Sequence, residues 1–219
     1  MENGESPPWD LRVIAALGAV LLVGGLAALL WLDPVRAGEA VAEDGPVEWV
    51  QAALLLAGWV VTVGRAVSLL ARGRSAVPEL LLAALLTVGI TVELSLHSWV
   101  GFRIRRWRPS LRRSAGPVLP WVVLAVSLIV GLVAARHGTR HRRALLEVVR
   151  SLPHSRWGQL TLAGLGGYAA TQLFQRRLAR LMPRPSYFLE ESIELVGALC
   201  LFLAAWQRAR MPTGENGDA

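Results

Sequence analysis

The stretch from Val47 to Ala71, VEWVQAALLLAGWVVTVGRAVSLLA, decides how the rest of the chain is read. It runs for 25 residues with one carboxylate near its start, Glu48, and one guanidinium near its end, Arg65. Crossing the hydrocarbon of a bilayer takes about 20 predominantly apolar residues in a helix. A helix satisfies its own backbone hydrogen bonds in lipid, and the run lacks the alternation of a membrane β-barrel strand. It also begins as helices begin. Asp44 or Gly45 can cap, Pro46 suits the first helical position, and Glu48 favours the positive end of the helix dipole.

Five further stretches read the same way: Leu11 to Leu32, Pro78 to Val100, Pro117 to Ala135, Gly158 to Phe174 and Leu189 to Trp206. The expected fold class is therefore all-α, a polytopic integral membrane bundle of about six transmembrane helices. Residues 1–10 are an N-terminal tail, 11–207 the transmembrane domain and 208–219 a disordered C-terminal tail. Trp9, Trp31, Trp49, Trp99, Trp121, Trp157 and Trp206 fall at the expected span ends, as an aromatic belt requires. Trp107 lies in a loop and Trp59 in mid-span. The first stretch is a retained helix rather than a secretory signal, because Glu2, Glu5 and Asp10 precede it against Arg12 alone.

Hydrophobic residues make up 53% of the chain, and the net charge is +7. All 23 basic residues are arginine, a bias attributed to coding composition. With most of the chain in spans there is no soluble basic domain to hold nucleic acid, which is excluded as a partner. A lone Cys200 excludes an intrachain disulfide and a thiolate metal cluster. Haem is not expected, since only His97 lies within a span, and no nucleotide-binding pattern is present. The cell membrane, specifically a bacterial inner membrane, is the expected location.

Arginines concentrate in two segments, six in 102–113 and six in 136–156. Within the second, residues 138–152 carry Leu145, Leu146, Val148, Val149 and Leu152 among the arginines and read as an interfacial amphipathic helix. His137 and His141 have the spacing of a helical metal pair, but neighbouring arginines would repel a cation, and a solvated basic face is the better reading. The fifth stretch is the weakest, with Gly158, Gly164, Gly166 and Gly167 and two small pairs, Ala163 with Gly167 and Gly166 with Ala170. These suit close helix packing, with a broken or re-entrant helix as the alternative. Six spans place twelve arginines on the N-terminal side and eleven on the other, so the positive-inside rule does not orient the chain.

Six crossings would put the starts of the second and sixth spans and the end of the third on one side. Glu48 would then share that side with Glu93 and His97, four apart, and with Glu190 and Glu194, also four apart. Ser95, and the arginines Arg103 and Arg105 of the following loop, belong to the same neighbourhood. Ionisable groups at membrane depth are costly and face the bundle interior. Three roles compete: an ion-pair network that fixes helix register, a polar cavity for a lipid headgroup or small anion, and a divalent metal held by Glu93, His97, Glu190 and Glu194 that activates water for hydrolysis.

The blocks Glu43 to Trp49 (EDGPVEW), Thr91 to Gly101 (TVELSLHSWVG) and Leu189 to Gly197 (LEESIELVG) resemble a family of bacterial multi-pass membrane proteins of unknown function. That family reads EDGxxEW, GEEISWGQ and EExxExxG at such places. In the central block Glu93 and Ser95 match, while Val92, Leu96, His97 and Ser98 depart. The resemblance implies architecture and no reaction. The favoured function is binding or handling of a lipid or small anionic molecule in a polar cavity near one membrane face. An accessory or structural subunit of a larger membrane complex comes second and a metal-dependent hydrolase third. The expected partners are the bilayer, anionic lipid and other membrane subunits.

Overall fold

The computed structural model describes residues 46–93, 118–177 and 183–211, with isolated positions between 16 and 35. Among the described residues every regular element is a helix: α1 (Pro46–Ala71), α2 (Val77–Glu93), α3 (Val118–Arg140), α4 (Arg142–Ser151), α5 (Arg156–Arg177) and α6 (Pro183–Arg210). By length and apolarity α1 alone passes as a membrane-crossing helix among these residues, with a mean hydropathy of 1.9 in its most apolar window; Val77–Thr91 is a shorter apolar helix.

The α1 to α2 turn shows how local sequence sets the layout. The Arg74 N–H reaches back to the Leu69 carbonyl (2.9 Å) and the Gly73 N–H to that of Leu70 (3.0 Å), with Gly73 at φ +69°. This is a Schellman closure, in which glycine occupies the left-handed position without a Cβ penalty. The chain reverses at once, and α2 runs antiparallel to α1. Trp59 Nε1 on α1 donates to Thr87 Oγ1 on α2 at 2.8 Å, giving the mid-span tryptophan an internal partner. Thr87 in turn donates to the Ala83 carbonyl.

Helix α6 is the centre of the packing, with α5 and α1 against it, while α3 flanks α2. The main core joins Leu55 of α1, Leu82, Leu86 and Ile90 of α2, Leu160 of α5 and Ala198, Leu201 and Ala204 of α6. Free Cys200 is part of this core. Gly18 of the first apolar stretch lies against Leu199. Helix α5 is continuous through its glycines, and Ser155 caps it, accepting the Gly158 N–H at 3.2 Å. The α6-facing small residues differ from the expected pairs. Gly164 and Gly167 meet Gly197 and Ile193, whereas Ala163 and Gly166 point away. Leu160, Thr161, Gly164, Tyr168 and Thr171 follow the same helical stripe, and that periodicity sets the phase.

At one end of the bundle Glu79, in the first turn of α2, is fully buried between two arginines. Its Oε1 takes Nε of Arg65 at 3.1 Å and Nε of Arg208 at 2.8 Å. Arg65 also donates through Nη1 and Nη2 to the carbonyls of Ala209 and Met211 (2.5 and 2.8 Å), capping the C-terminal end of α6. The Arg208 guanidinium lies 5.5 Å from the centroid of Trp157, the buried tryptophan at the start of α5. Trp157 is thus part of this cluster and is buried, against the expectation of an aromatic belt, whereas Trp49 and Trp206 are exposed. Three helices meet on one carboxylate, and α5 joins them through Trp157 and Arg208.

Two results are expected from thermal unfolding of the purified protein in mild detergent. Glu79→Ala leaves two buried guanidiniums without their counter-ion and should cost about 3–5 kcal/mol, against a smaller loss for Glu79→Gln. A loss below ~1 kcal/mol in Glu79→Ala would show that the cluster does not hold the helices together. At Gly164 an added Cβ would sit 2.7 Å from Leu201 Cγ and 2.9 Å from the Gly197 carbonyl oxygen, while at Gly166 it meets nothing within 4 Å. Gly164→Val should therefore destabilise by about 1–3 kcal/mol, and Gly166→Ala should be neutral or mildly stabilising. Equal effects at the two positions would refute the observed phase of α5.

Candidate functional site: a polar seam between α1, α5 and α6

The opposite end of the bundle carries acids. Helices α1 and α6 run parallel here, with the start of α1 beside the second to fourth turns of α6, and Val47 packs with Leu195. Glu48 and Gln51 stand three apart on α1, and Glu190, Glu191 and Glu194 lie along the start of α6. Gln51 is fully buried, and its Nε2 donates to the backbone carbonyl of Glu191 at 3.0 Å and to Glu191 Oε2 at 3.2 Å. Its Oε1, also buried, finds no donor among the described residues. The hydroxyl of Thr171 on α5 is buried within hydrogen-bonding reach of the Glu194 carboxyl. It donates to the Tyr168 carbonyl at 2.9 Å. The carboxyls of Glu190 and Glu48 are close enough to Glu194 to act on it electrostatically.

Of the residues singled out in the sequence, Glu48, Glu190 and Glu194 are brought together, each half-buried. Glu93 closes α2, and the antiparallel α1 to α2 pairing carries that helix end toward the same end of the bundle. The Glu93 side chain, and Ser95, His97, Arg103 and Arg105 altogether, lie outside the described residues. Among the described residues no group of three His, Cys, Asp or Glu is arranged to hold a metal ion. Gln51 and Thr171 were not singled out, whereas Glu191 belongs to the same acidic stretch as Glu190 and Glu194. A glutamine in an otherwise apolar run was the available signal for the first; nothing local distinguishes Thr171 from other helix threonines.

The basic end presents different chemistry. Helix α3 continues past its apolar run through Arg136 and Arg140, breaks at His141 and resumes as α4, where no residue is fully buried. The His137 and His141 rings lie 4.5 Å apart between centroids, and His137 Nε2 accepts the Ala76 N–H at 3.4 Å, a long hydrogen bond. Partial burial, followed by the neighbouring His141 and Arg140, holds the His137 pKa below the ordinary 6.5.

Comparison of the chain with protein-family models, with curated proteins and with solved structures returns no match.

The depressed pKa of His137 has a testable sign. The unfolded chain takes up the proton near the ordinary value and the folded chain only below it, so the stabilisation is complete above about pH 6.5 and is lost as pH falls below it. Protonation also removes the acceptor that Ala76 N–H uses. The midpoint of thermal unfolding should fall from about pH 7 to about pH 5 less steeply in His137→Gln than in the parent chain. Parallel curves would show that His137 does not contribute.

Proposed function

We propose that the chain is a six-helix integral protein of a cell membrane, the bacterial inner membrane on the resemblance above, that binds or handles a lipid or small anionic molecule. Membrane embedding is supported by where apolar side chains are exposed. Leu56, Val60 and Val67 on α1, Val88 on α2 and Leu128, Ile129 and Leu132 on α3 are each more than half exposed. Only 28% of the apolar window of α1 is buried, which is unlike the core helix of a water-soluble protein. So wide a belt of exposed apolar residues suits contact with lipid.

The observation that carries the binding function is the seam itself: Glu48, Glu190 and Glu194 gathered with buried Gln51 and Thr171 inside an apolar bundle. Carboxylates at such depth require cations. The arginines of 102–113, Arg103 and Arg105 among them, follow α2 in the sequence and are the cations assigned to that role in this reading. The Glu79 cluster is the precedent within this fold: one carboxylate orders two arginines and leaves a net positive charge. Guanidiniums fixed by Glu48, Glu190 or Glu194 would present their remaining N–H groups to a phosphate or carboxylate.

A second reading, an accessory membrane subunit, draws on Ala163 and Gly166, small residues of α5 that face away from α6 beside exposed Leu162. Native mass spectrometry of the protein in mild detergent separates the two. A binding protein retains a lipid or small anion that Arg105→Ala and Glu194→Gln lose while both variants keep their helical signal. Retention of the same molecule by both variants would refute the seam as the site, and stoichiometric co-purification of another membrane protein would favour the subunit reading.

A further inference from the structure

A groove of about 400 Å³ opens between α2, α3 and α4 at the basic end of the bundle, away from the acidic seam. Val77 and Leu81 of α2, Ala134 and Gly138 of α3 and Leu145 of α4 give it apolar walls, and Arg142 at the start of α4 lines it too. Its volume is that of small-molecule sites, roughly 300–1,000 Å³. The groove is roomy because α3 presents alanine and glycine there. Gly138 lines the groove, and a Cβ added there would be in ordinary contact with Leu145 Cδ2 at 3.6 Å, so a larger side chain would project toward the space beside Leu145.

Three features identify what fits. The groove lies where α3 changes from exposed apolar side chains, Leu132 and Val133, to Arg136 and Arg140, the level at which hydrocarbon gives way to headgroups in a membrane. Helix α4 is amphipathic and exposes Leu146 and Val149 next to arginines, as a helix lying in that interface does. Finally, Glu147 is the only carboxylate in 136–156 against six arginines, so the surroundings favour an anion. A free phosphate would leave the apolar walls unused, and a neutral lipid would leave Arg142 without a counter-charge.

We propose that the α2–α3–α4 groove is a binding site for an anionic glycerophospholipid, one acyl chain lying against Val77, Leu81, Ala134 and Gly138 and the phosphate meeting Arg142. The site is independent of the acidic seam, and its variants touch none of the seam residues. It also gives α4 a function: the helix closes the groove and supplies the cation.

The test is native mass spectrometry of the full chain in mild detergent, titrated with phosphatidylglycerol or phosphatidylcholine. The parent chain should bind phosphatidylglycerol at least about tenfold better than phosphatidylcholine. Arg142→Ala should bring the two to within about twofold, and Arg142→Lys should retain part of the preference. Gly138→Leu should lower the binding of both lipids by filling the groove, with Ala134→Leu as the substitute if Gly138→Leu unfolds. Arg143→Ala, exposed and outside the lining, should change neither by more than about twofold. Equal binding of the two lipids by the parent chain would overturn the proposal, as would equal losses in Arg142→Ala and Arg143→Ala, which would indicate diffuse charge. Displacement of phosphatidylglycerol by an equal concentration of inorganic phosphate would overturn it too, because it would mark an anion site without a chain.

Discussion

Glu79 holds the basic end of the bundle together. A buried carboxylate is expensive to desolvate, and so are two arginines; the arrangement persists only because each offsets the others. Arg65 is placed by α1 and Arg208 by α6, so the shared Oε1 fixes the register of both against α2. Arg65 uses its remaining donors on the last carbonyls of α6, which would otherwise lie unsatisfied at a helix terminus. Trp157 then brings α5 to the same point by placing a π face near Arg208. The Schellman turn at Gly73 is what allows α2 to begin close enough to α1 for this to happen.

From that anchor the helices run to an end of opposite character. Leu55, Leu86 and Leu201 fill the middle, where α1, α2 and α6 meet through apolar contact alone apart from the Trp59 to Thr87 hydrogen bond. Beyond the core, the parallel pairing of α1 with α6 sets the start of α1 beside the second to fourth turns of α6, and both stretches carry glutamates. Glu48, in the first turn of α1, gains from its helix dipole, whereas Glu190 and Glu194 lie about two turns inside α6 and gain little. Gln51 and Thr171 supply neutral donors where a further charge would not fit. The seam is therefore a consequence of helix direction, and helix direction is fixed by the ion cluster at the other end.

The sequence made the helices legible more readily than their contacts. Helix α1 coincides within a residue with the apolar run 47–71, because a long apolar stretch bounded by Pro46 and Gly73 has few alternatives. Helix α2 was expected from its proline and begins one residue earlier, at Val77, with Ala76 accepting its first hydrogen bond. Glu79 looked like an ordinary first-turn acid. Its partners lie 14 and 129 residues away, and no local pattern encodes such a pairing. The phase of α5 was legible only in part, since Ala163, Gly164, Gly166 and Gly167 offer small surfaces in several directions and the match to Gly197 alone selects one. The grouping of Glu48, Glu190 and Glu194 followed from counting crossings, while Gln51 and Thr171 emerged only when three helices were placed together.

The disposition of arginine follows from the same energetics. Arg65 and Arg208 are buried and committed to Glu79 and to the carbonyls and thioether at the end of α6, so their charge serves the fold. Arg136, Arg140, Arg142 and Arg143 are exposed on α3 and α4, beside a single acid, Glu147. A guanidinium inside the bundle without a carboxylate would destabilise it, so cations available for an external anion must sit outside it. A molecule apolar at one end and anionic at the other, as proposed for the groove, requires apolar walls beside a basic surface. The division between α2 and α4 meets that requirement: α2 contributes only hydrocarbon to the groove, and α4 contributes its charge.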